Sequence, residues 1–186
     1  MIKKLNIYED FKKVITTFQN HPFYEKLTEK DMMEEFKLYL DDKIGGCFAY
    51  YDVDDILGIN CFTYGADESH GIIFPNNDNI AYISGMATLE KARGMGIGTQ
   101  LFEYVMNYFK EKEIYDYVYL RTNLYGSMSS GIAKKHGFIT LQKDNQIYTQ
   151  AVQFERIDPT VSDTDLRKFM VKKMNDNVSY SDIKFK

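Results

Sequence analysis

The sequence predicts an α+β protein with one central sheet. Strand and helix patterns follow one another in the order βααβββαβαββ, which indicates mixed elements around a single sheet. A glycine-rich segment, residues 94–98, stands between a strand pattern and a long amphipathic helix pattern. The 186 residues suit one domain with a short appendage. We therefore assign residues 1–156 to the domain and residues 157–186 to a C-terminal helical tail.

The N-terminal part is predicted to form one strand and two helices. Residues 2–8 alternate between apolar and polar side chains, which is typical of a strand. Each helix is indicated by apolar residues spaced three and four apart, which places them on one face. Thr28 and Asp31 resemble a capping box at the start of the second helix. The apolar faces are Phe11, Val14, Ile15 and Phe18 in the first helix, and Met32, Phe36, Tyr39 and Leu40 in the second.

Two strands follow, residues 47–51 and 56–64, joined by an acidic turn at residues 52–55. Cys47 and Cys61 fall in these strands and would lie across from each other if the strands pair. Since a reducing cytosol disfavours disulfides, we expect two free thiols.

The second half of the chain alternates between strands and helices. It opens with a polar loop at residues 66–79, and loops of this length are usually functional. The predicted elements are a short strand at 72–74, a strand at 80–88, a helix at 97–112, a strand at 117–122, a helix at 127–135 closed by Gly137, and a hairpin of residues 138–141 and 147–154 around Asp144-Asn145. A last helix is predicted after Pro159, capped by Ser162 or Asp163, with Leu166, Phe169, Met170 and Met174 on one face.

The strongest functional signal is the segment 86–99, in which a strand runs into three alternating glycines and then into a helix. Glycine permits positive φ angles and lets the backbone approach a ligand closely. Successive amides in such a turn form an anion-binding nest, and the positive end of the helix dipole adds to it. Arg93, directly before the glycines, adds a charged donor. The segment therefore has the features of a cradle for a diphosphate.

Two other phosphate-binding loops fit this segment less well. The Rossmann loop has the pattern Gly-x-Gly-x-x-Gly and needs an acidic residue on the next strand, whereas residues 120–122 are Leu-Arg-Thr. The phosphate loop of nucleoside triphosphatases needs Gly-Lys-Ser/Thr, which the sequence lacks. Two alternatives stay open: a tight turn that binds nothing, and a loop that holds a different nucleotide.

The same segment carries a family resemblance. Arg93-x-x-Gly96-x-Gly98, after a strand and before an amphipathic helix, resembles the pyrophosphate-binding motif of the GNAT N-acetyltransferase superfamily. His136-Gly137-Phe138 is similar to the Gly-Phe that ends the last helix of that family. By element order the resemblance covers residues 1–156, and it is specific in residues 80–138. It implies the GNAT fold, with a mixed and mostly antiparallel sheet of about seven strands flanked by helices.

The resemblance also implies an activity and the residues that serve it. The enzyme would transfer the acetyl group of acetyl-CoA to a primary amine of a small molecule or a protein, by direct attack in a ternary complex. The backbone of Met86, Ala87 and Thr88 would bind the pantetheine arm. The amine would enter over the first two helices and the loop around residues 68–78. The diphosphate of CoA would be held by Arg93, Gly94, Met95, Gly96, Ile97, Gly98 and Thr99.

The sequence departs from the family at the group that protonates the departing thiolate. The family commonly has a Tyr four residues before the Gly of Gly-Phe, and this position is Ala133. Tyr125 and Ser127 are the nearest hydroxyls that could replace it, although a packing Tyr and a helix N-cap are simpler interpretations. Glu68 and His70 are candidates for the base that deprotonates the amine. Both could instead be solvated loop residues.

Composition limits the remaining function classes. The net charge of −4 disfavours nucleic acid as a partner and tolerates cationic amines. The sequence has no stretch of about 18 apolar residues and no signal-peptide core, so we expect no membrane contact and a cytoplasmic location. No Cys/His cluster has metal-ligand spacing, so we expect no metal.

A homodimer could form through an exposed last strand or the tail. A CoA-binding module without activity is the alternative that Ala133 suggests.

Overall fold

The computed structural model describes residues 1–21, 28–113, 115–154 and 163–186. The helices in this part of the chain are α1 (Tyr8–Phe18), α2 (Glu29–Leu40), α3 (Ile97–Lys112) and α4 (Met128–Lys135). None of them is long and apolar enough to cross a bilayer. The strands are β1 (Ile2–Lys4), β2 (Gly45–Asp52), β3 (Asp55–Tyr64), β4 (Ile72–Ile73), β5 (Ile80–Thr88), β6 (Tyr117–Asn123), β7 (Ile139–Thr140), β8 (Gln142–Lys143), β9 (Gln146–Ile147), β10 (Thr149–Phe154), β11 (Asp163–Lys173) and β12 (Lys184–Phe185).

One mixed sheet contains most of these strands, in the order β1-β2-β3-β5-β6-β11-β10, with β7 also paired to β11. The pairs β1–β2, β2–β3, β6–β11 and β10–β11 are antiparallel, whereas β5 and β6 are parallel. A parallel pair needs a crossover connection, and α3 lies in the segment that joins β5 to β6. The α+β fold expected from the sequence is therefore confirmed, as a mostly antiparallel sheet of about seven strands flanked by helices.

Residues 1–63 and 84–108 form one compact unit. Its core contains the apolar faces of α1 and α2 that the residue spacing predicts, together with side chains of β2 and β3. The capping box of α2 is confirmed, because the Asp31 amide donates to the Thr28 hydroxyl and the Thr28 amide donates to the Asp31 carboxylate. Cys47 and Cys61 lie directly opposite each other, with their Sγ atoms 3.1 Å apart, and both thiols are free as expected.

Residues 64–83 and 109–186 form a second compact unit. Its core is rich in aromatic side chains, since Tyr82 of β5 and Tyr119 of β6 pack in one cluster with Phe169 of β11. The rings of Tyr82 and Tyr119 stack with their centroids 4.7 Å apart. β4 and β12 form a separate two-stranded sheet within this unit.

The hairpin predicted after α4 is present in a shorter form. Its turn is at Asp144-Asn145, whose φ angles of 53° and 62° match the type I′ turn that two-residue hairpins prefer. The turn joins β8 to β9. The longer strand predicted at residues 147–154 instead forms β10 and pairs with β11, as does β7. The prediction is therefore correct for the turn and wrong for the strand partners.

The helix predicted after Pro159 is wrong from Asp163 onward, because residues 163–173 form β11, which lies between β6 and β10 in the sheet. Residues 159–162, which include the alternative cap Ser162, lie outside the described residues. Phe169, Met170 and Val171 are consecutive and each is 0% exposed. Successive strand residues point to opposite faces, so this run requires a strand that is covered on both sides. Apolar residues in a run this short satisfy helix and buried-strand patterns alike, which is why the spacing was misleading.

Candidate functional site

The glycine segment forms an open turn between β5 and α3. Gly94 and Gly96 have φ angles of 81° and 75°, in the region that residues with a Cβ rarely adopt. A Cβ built on Gly94 would have no atom of the described chain within 4 Å, and one on Gly96 would meet the Gln100 Nε2 atom at 3.8 Å. Backbone conformation therefore requires glycine at both positions, and the space around them is open.

The amide groups at the start of α3 face this turn. The Gln100 amide donates to the Gly96 carbonyl at 3.0 Å, which is the hydrogen bond that opens the helix. The amides of residues 97–99 precede it, so by helix geometry they point out of the helix end without an intrahelical acceptor. α3 has 16 residues, and its dipole adds positive potential at this end. With the exposed Arg93 beside it, the turn can bind an anionic group such as a phosphate.

Gly58 in β3 fixes the position of the first turn of α3. A Cβ at Gly58 would come within 3.0 Å of both Ile97 Cγ2 and Leu101 Cδ1. Ile97 and Leu101 are 2% and 1% exposed, so the helix is anchored on β3 through this close approach. Gly58 was not predicted as a site residue from the sequence. Its signal is a single glycine in an otherwise apolar strand pattern, which often marks a close contact.

A 3-10 turn at Glu90–Ala92 connects β5 to the glycine turn. The parallel ladder of β5 with β6 runs from Ile80 to Ile83. After β5 ends, the Leu89 amide donates to the Leu57 carbonyl at 2.9 Å. The segment between β5 and the glycine turn therefore begins beside β3. Residues 86–88 lie at this end of β5, with Met86 and Thr88 half-buried and Ala87 buried.

His70 is buried in the aromatic core of the second unit and is 2% exposed. Its ring packs edge-on against Tyr82, with centroids 4.9 Å apart, and lies 5.1 Å from the Phe169 ring. Its Nδ1 atom lies 3.1 Å from the Tyr119 hydroxyl. The alternative interpretation of His70 as a solvated loop residue is therefore wrong, because the polar loop folds back onto the sheet.

The hydrogen bonds around His70 indicate where its proton lies. The Tyr119 hydroxyl accepts from the Asp67 amide at 2.9 Å and can donate to Nδ1 of His70, while Nε2 of His70 faces the Asp67 carboxylate, which can only accept. Nδ1 is then the acceptor and Nε2 carries the hydrogen, 3.6 Å from the Asp67 carboxylate. Burial lowers the pKa of His70 to about 4, although the Asp67 charge acts in the opposite direction. At neutral pH His70 is thus an uncharged ring whose basic nitrogen already accepts a hydrogen bond.

Further contacts hold the short 3-10 turn at Glu68–His70 in place. The Tyr148 hydroxyl donates to the His70 carbonyl at 2.9 Å, and the Gln150 side chain donates to the Ser69 carbonyl at 2.7 Å. Arg121 in turn donates to Gln150 at 3.1 Å. Glu68 remains exposed on the surface of this turn.

The candidate acids near α4 have different surroundings. Ser127 is the N-cap of α4, accepting from the Ser130 amide at 3.2 Å and lying 2.6 Å from the Thr122 hydroxyl. Its N-cap interpretation is therefore confirmed. Tyr125 is 88% exposed, so its phenol projects into solvent. Ala133, at the position of the family's tyrosine, is 0% exposed.

The first unit also holds a polar cluster that was not predicted from the sequence. The hydroxyl of Tyr39, which is 2% exposed, lies 2.9 Å from Ser84 Oγ and 3.4 Å from Glu35 Oε1. Glu35 on α2 and Ser84 on β5 are both half-buried. Burial raises the pKa of the Glu35 carboxyl, and the hydrogen bond from Tyr39 offsets part of that rise. The signal in the sequence is a glutamate within the apolar stripe of α2.

The family is established by comparison with known sequences. A sequence model described as Acetyltransferase (GNAT) family matches residues 11–138, which is more than half of the chain and includes β5, the glycine turn and α3. The chain belongs to the GNAT acetyltransferase family.

Individual proteins agree with this membership. Over 111 residues the chain is 28% identical to a Drosophila melanogaster protein named "Probable N-acetyltransferase san", covering 60% of this chain and 52% of that one. The match thus spans about half the length of this curated relative.

Solved structures show the same fold. An N-acetyltransferase from Staphylococcus aureus Mu50 superimposes with a TM-score of 0.70 at 15% identity, covering 94% of this chain and 98% of that chain. The ribosomal-protein-S18-alanine N-acetyltransferase of Escherichia coli superimposes with a TM-score of 0.68 at 11% identity, covering 96% and 98%. At these identities the structures establish likeness of fold.

We expect acidification to destabilise the protein through His70. Its pKa is about 4 in the folded chain against an ordinary value of 6.5, so on acidification across this window the unfolded chain takes up a proton that the folded chain does not. The free energy of unfolding should fall by on the order of 3 kcal/mol across the window. In His70→Asn an amide oxygen can replace Nδ1 as acceptor and the titration is lost, so the fall should be much smaller. Urea unfolding between about pH 7 and about pH 4 measures both, and equal falls would contradict the assignment.

Proposed function

We propose that this chain transfers the acetyl group of acetyl-CoA to a primary amine of a small molecule or a protein, by direct attack in a ternary complex. The observation that carries the proposal is the open turn at Gly94 and Gly96 directly before α3. Membership in the GNAT family supplies the class of donor, because the family uses acetyl-CoA as its cosubstrate. The name of the Drosophila relative, an N-acetyltransferase, supports an amine as acceptor.

The residues of the turn fit the diphosphate of CoA. The positive φ angles of Gly94 and Gly96, and the open space around them, leave the backbone accessible to an anion. The amides of residues 97–99 would donate to phosphate oxygens, and Arg93 would add a positive charge. The backbone of residues 86–88 would bind the amide groups of the pantetheine arm. The thioester, once bound, supplies an activated acetyl group.

The activity is tested by thiol release from acetyl-CoA in the presence of a panel of primary amines. We expect release that depends on both the protein and the amine. Calorimetric titration with CoA, ATP and NAD should show preferential binding of CoA. Binding of CoA without thiol release for any amine would point to the non-catalytic CoA-binding module. Preferential binding of ATP or NAD would contradict the proposal.

Gly96→Glu should abolish binding of CoA, because a carboxylate would occupy the open turn and repel the phosphates. The matched control is Gly137→Glu at the end of α4, where φ is 82° and a Cβ would approach only the end of the Lys172 side chain, at 3.8 Å. Both variants place a non-glycine residue at positive φ, so each should lose roughly 1–3 kcal/mol of stability. Calorimetry should then show CoA binding lost in the first and retained in the second. Equal affinity in both would exclude the turn as the binding site.

Tyr125 remains our candidate for the acid that protonates the departing thiolate. Because its phenol is 88% exposed, Tyr125→Phe should leave the free energy of unfolding within about 0.5 kcal/mol of wild type. If the phenol is the acid, kcat should fall by roughly 10²-fold or more. Tyr104→Phe, on the partly exposed Tyr104 of α3, serves as control and should keep its kcat. Ser127→Ala should instead lose about 1 kcal/mol of stability, as expected for an N-cap. An unchanged kcat in Tyr125→Phe would remove this residue from the mechanism.

A further inference from the structure

α2 carries a carboxylate where its buried stripe would ordinarily hold an apolar side chain. Met32, Phe36 and Tyr39 are buried at positions i, i+4 and i+7, and Glu35 occupies position i+3 of the same stripe. Placing a carboxylate there is unfavourable unless the charge is paired or hydrogen-bonded. The neighbouring Glu34 shows the ordinary arrangement, since it is exposed and pairs with Lys37 at 2.6 Å.

Glu35 is only weakly satisfied by the residues around it. Its Oε1 atom lies 3.4 Å from the Tyr39 hydroxyl, while that hydroxyl lies closer, at 2.9 Å, to Ser84 Oγ. The ion pairs found within residues 1–21, 28–113, 115–154 and 163–186 do not include Glu35. A half-buried carboxylate of this kind can still pair with a cation that comes from outside the chain.

The contacts of Tyr39 connect Glu35 to the strand that leads into the glycine turn. Ser84 lies on β5, which continues through Ala87 and ends at Thr88, and the turn at residues 94–96 follows after a 3-10 turn at Glu90–Ala92. Ala87 belongs to the same core cluster as Tyr39 and Phe36. Glu35 is thus connected to β5 within one compact unit. The end of β5, residues 86–88, carries the backbone groups that we assign to binding of the acetyl donor.

We propose that Glu35 binds the ammonium group of the acceptor and takes up a proton from its nitrogen during acetyl transfer. This would make Glu35 a catalytic residue of the reaction proposed above, on which the inference rests. Of the two protons that the ammonium nitrogen gives up, one goes to a Glu35 oxygen and the other ends on the departing sulfur. The nitrogen lone pair forms the bond to the acetyl carbon, and the electron pair of the carbon–sulfur bond leaves with the sulfur. Glu35 returns its proton to solvent when the product leaves.

The surroundings of Glu35 suit this role. A carboxyl whose pKa is raised by burial is a stronger base than an exposed one, which makes proton transfer from an amine less unfavourable. Among the described residues, the titratable groups that interact with it are Tyr39 on its own helix and Cys61 on β3, and Cys47 on β2 lies against Cys61. Burial raises the pKa of Tyr39 and of Cys61 well above their ordinary values, so both stay neutral on the acid side of neutrality. Loss of activity on acidification therefore reports on Glu35 within this cluster.

The test compares Glu35→Gln with Glu34→Gln in the full chain. Glutamine keeps an acceptor for the Tyr39 hydroxyl, so the fold should be retained, and thermal unfolding checks this. With the amine that wild type acetylates best, Glu35→Gln should lower kcat/KM by roughly 10²-fold or more and remove the acid limb of the pH profile. Glu35→Asp should recover part of the activity and restore the limb. Glu34→Gln makes the same charge change one residue away and should stay within about twofold of wild type.

Calorimetric binding of CoA separates failure of this inference from failure of the proposed function. We expect all four proteins to bind CoA with equal affinity. An active wild type whose rate and pH profile are unchanged in Glu35→Gln would overturn the role of Glu35 alone. A wild type that binds CoA but acetylates no amine would overturn the proposed function and this inference together.

Discussion

The backbone between Ala92 and Ile97 is the constraint on which the proposed chemistry depends. Within these few residues the chain must leave a 3-10 turn, pass through two positive-φ glycines and begin a 16-residue helix. The start of that helix is set by Gly58, which lets α3 approach β3 more closely than a side chain would permit. The buried side chain of Ile97 anchors the start of α3 on the core. The free amides in the first turn of the helix therefore stay oriented toward the open space at the glycine turn.

The two buried polar clusters differ in what they can offer to a substrate. In the second unit, His70, Tyr119 and Asp67 satisfy one another, and the basic nitrogen of the imidazole is already in use. Such a closed network holds a loop in place and adds specificity to the core. In the first unit, Glu35 has one long contact and no cationic partner among the described residues. The chemistry of an incoming amine is therefore better assigned to the cluster that is incomplete.

Much of the fold could be predicted from the sequence because its strongest patterns are local. The helix faces at Phe11 and Met32, the Thr28 capping box and the glycine turn are all encoded within a few residues. The errors arose where distant residues decide the outcome. β11 is a strand because β6 and β10 lie on either side of it, which its own sequence does not indicate.

The same reason explains what was missed in the site. His70 is buried because Tyr82 and Phe169, far apart in sequence, enclose it. Glu35 becomes notable only when Tyr39 and Ser84 are brought together across the helix and the sheet. The glycine turn could be predicted since its amides, its conformation and its helix are continuous in sequence, whereas a residue that acts on the acceptor need not be near it in the chain.

The position of β11 also determines the order in which this protein can assemble during translation. β10 pairs with β11, and β11 pairs with β6, so among the described strands residues 149–154 join the sheet through a strand made after them. Until residue 173 has emerged from the ribosome, β6 and β10 both expose hydrogen-bonding edges to other chains. The nascent chain can thus mispair until late in synthesis. Its sheet is completed when β11 inserts between β6 and β10, and not by the addition of a strand at an edge.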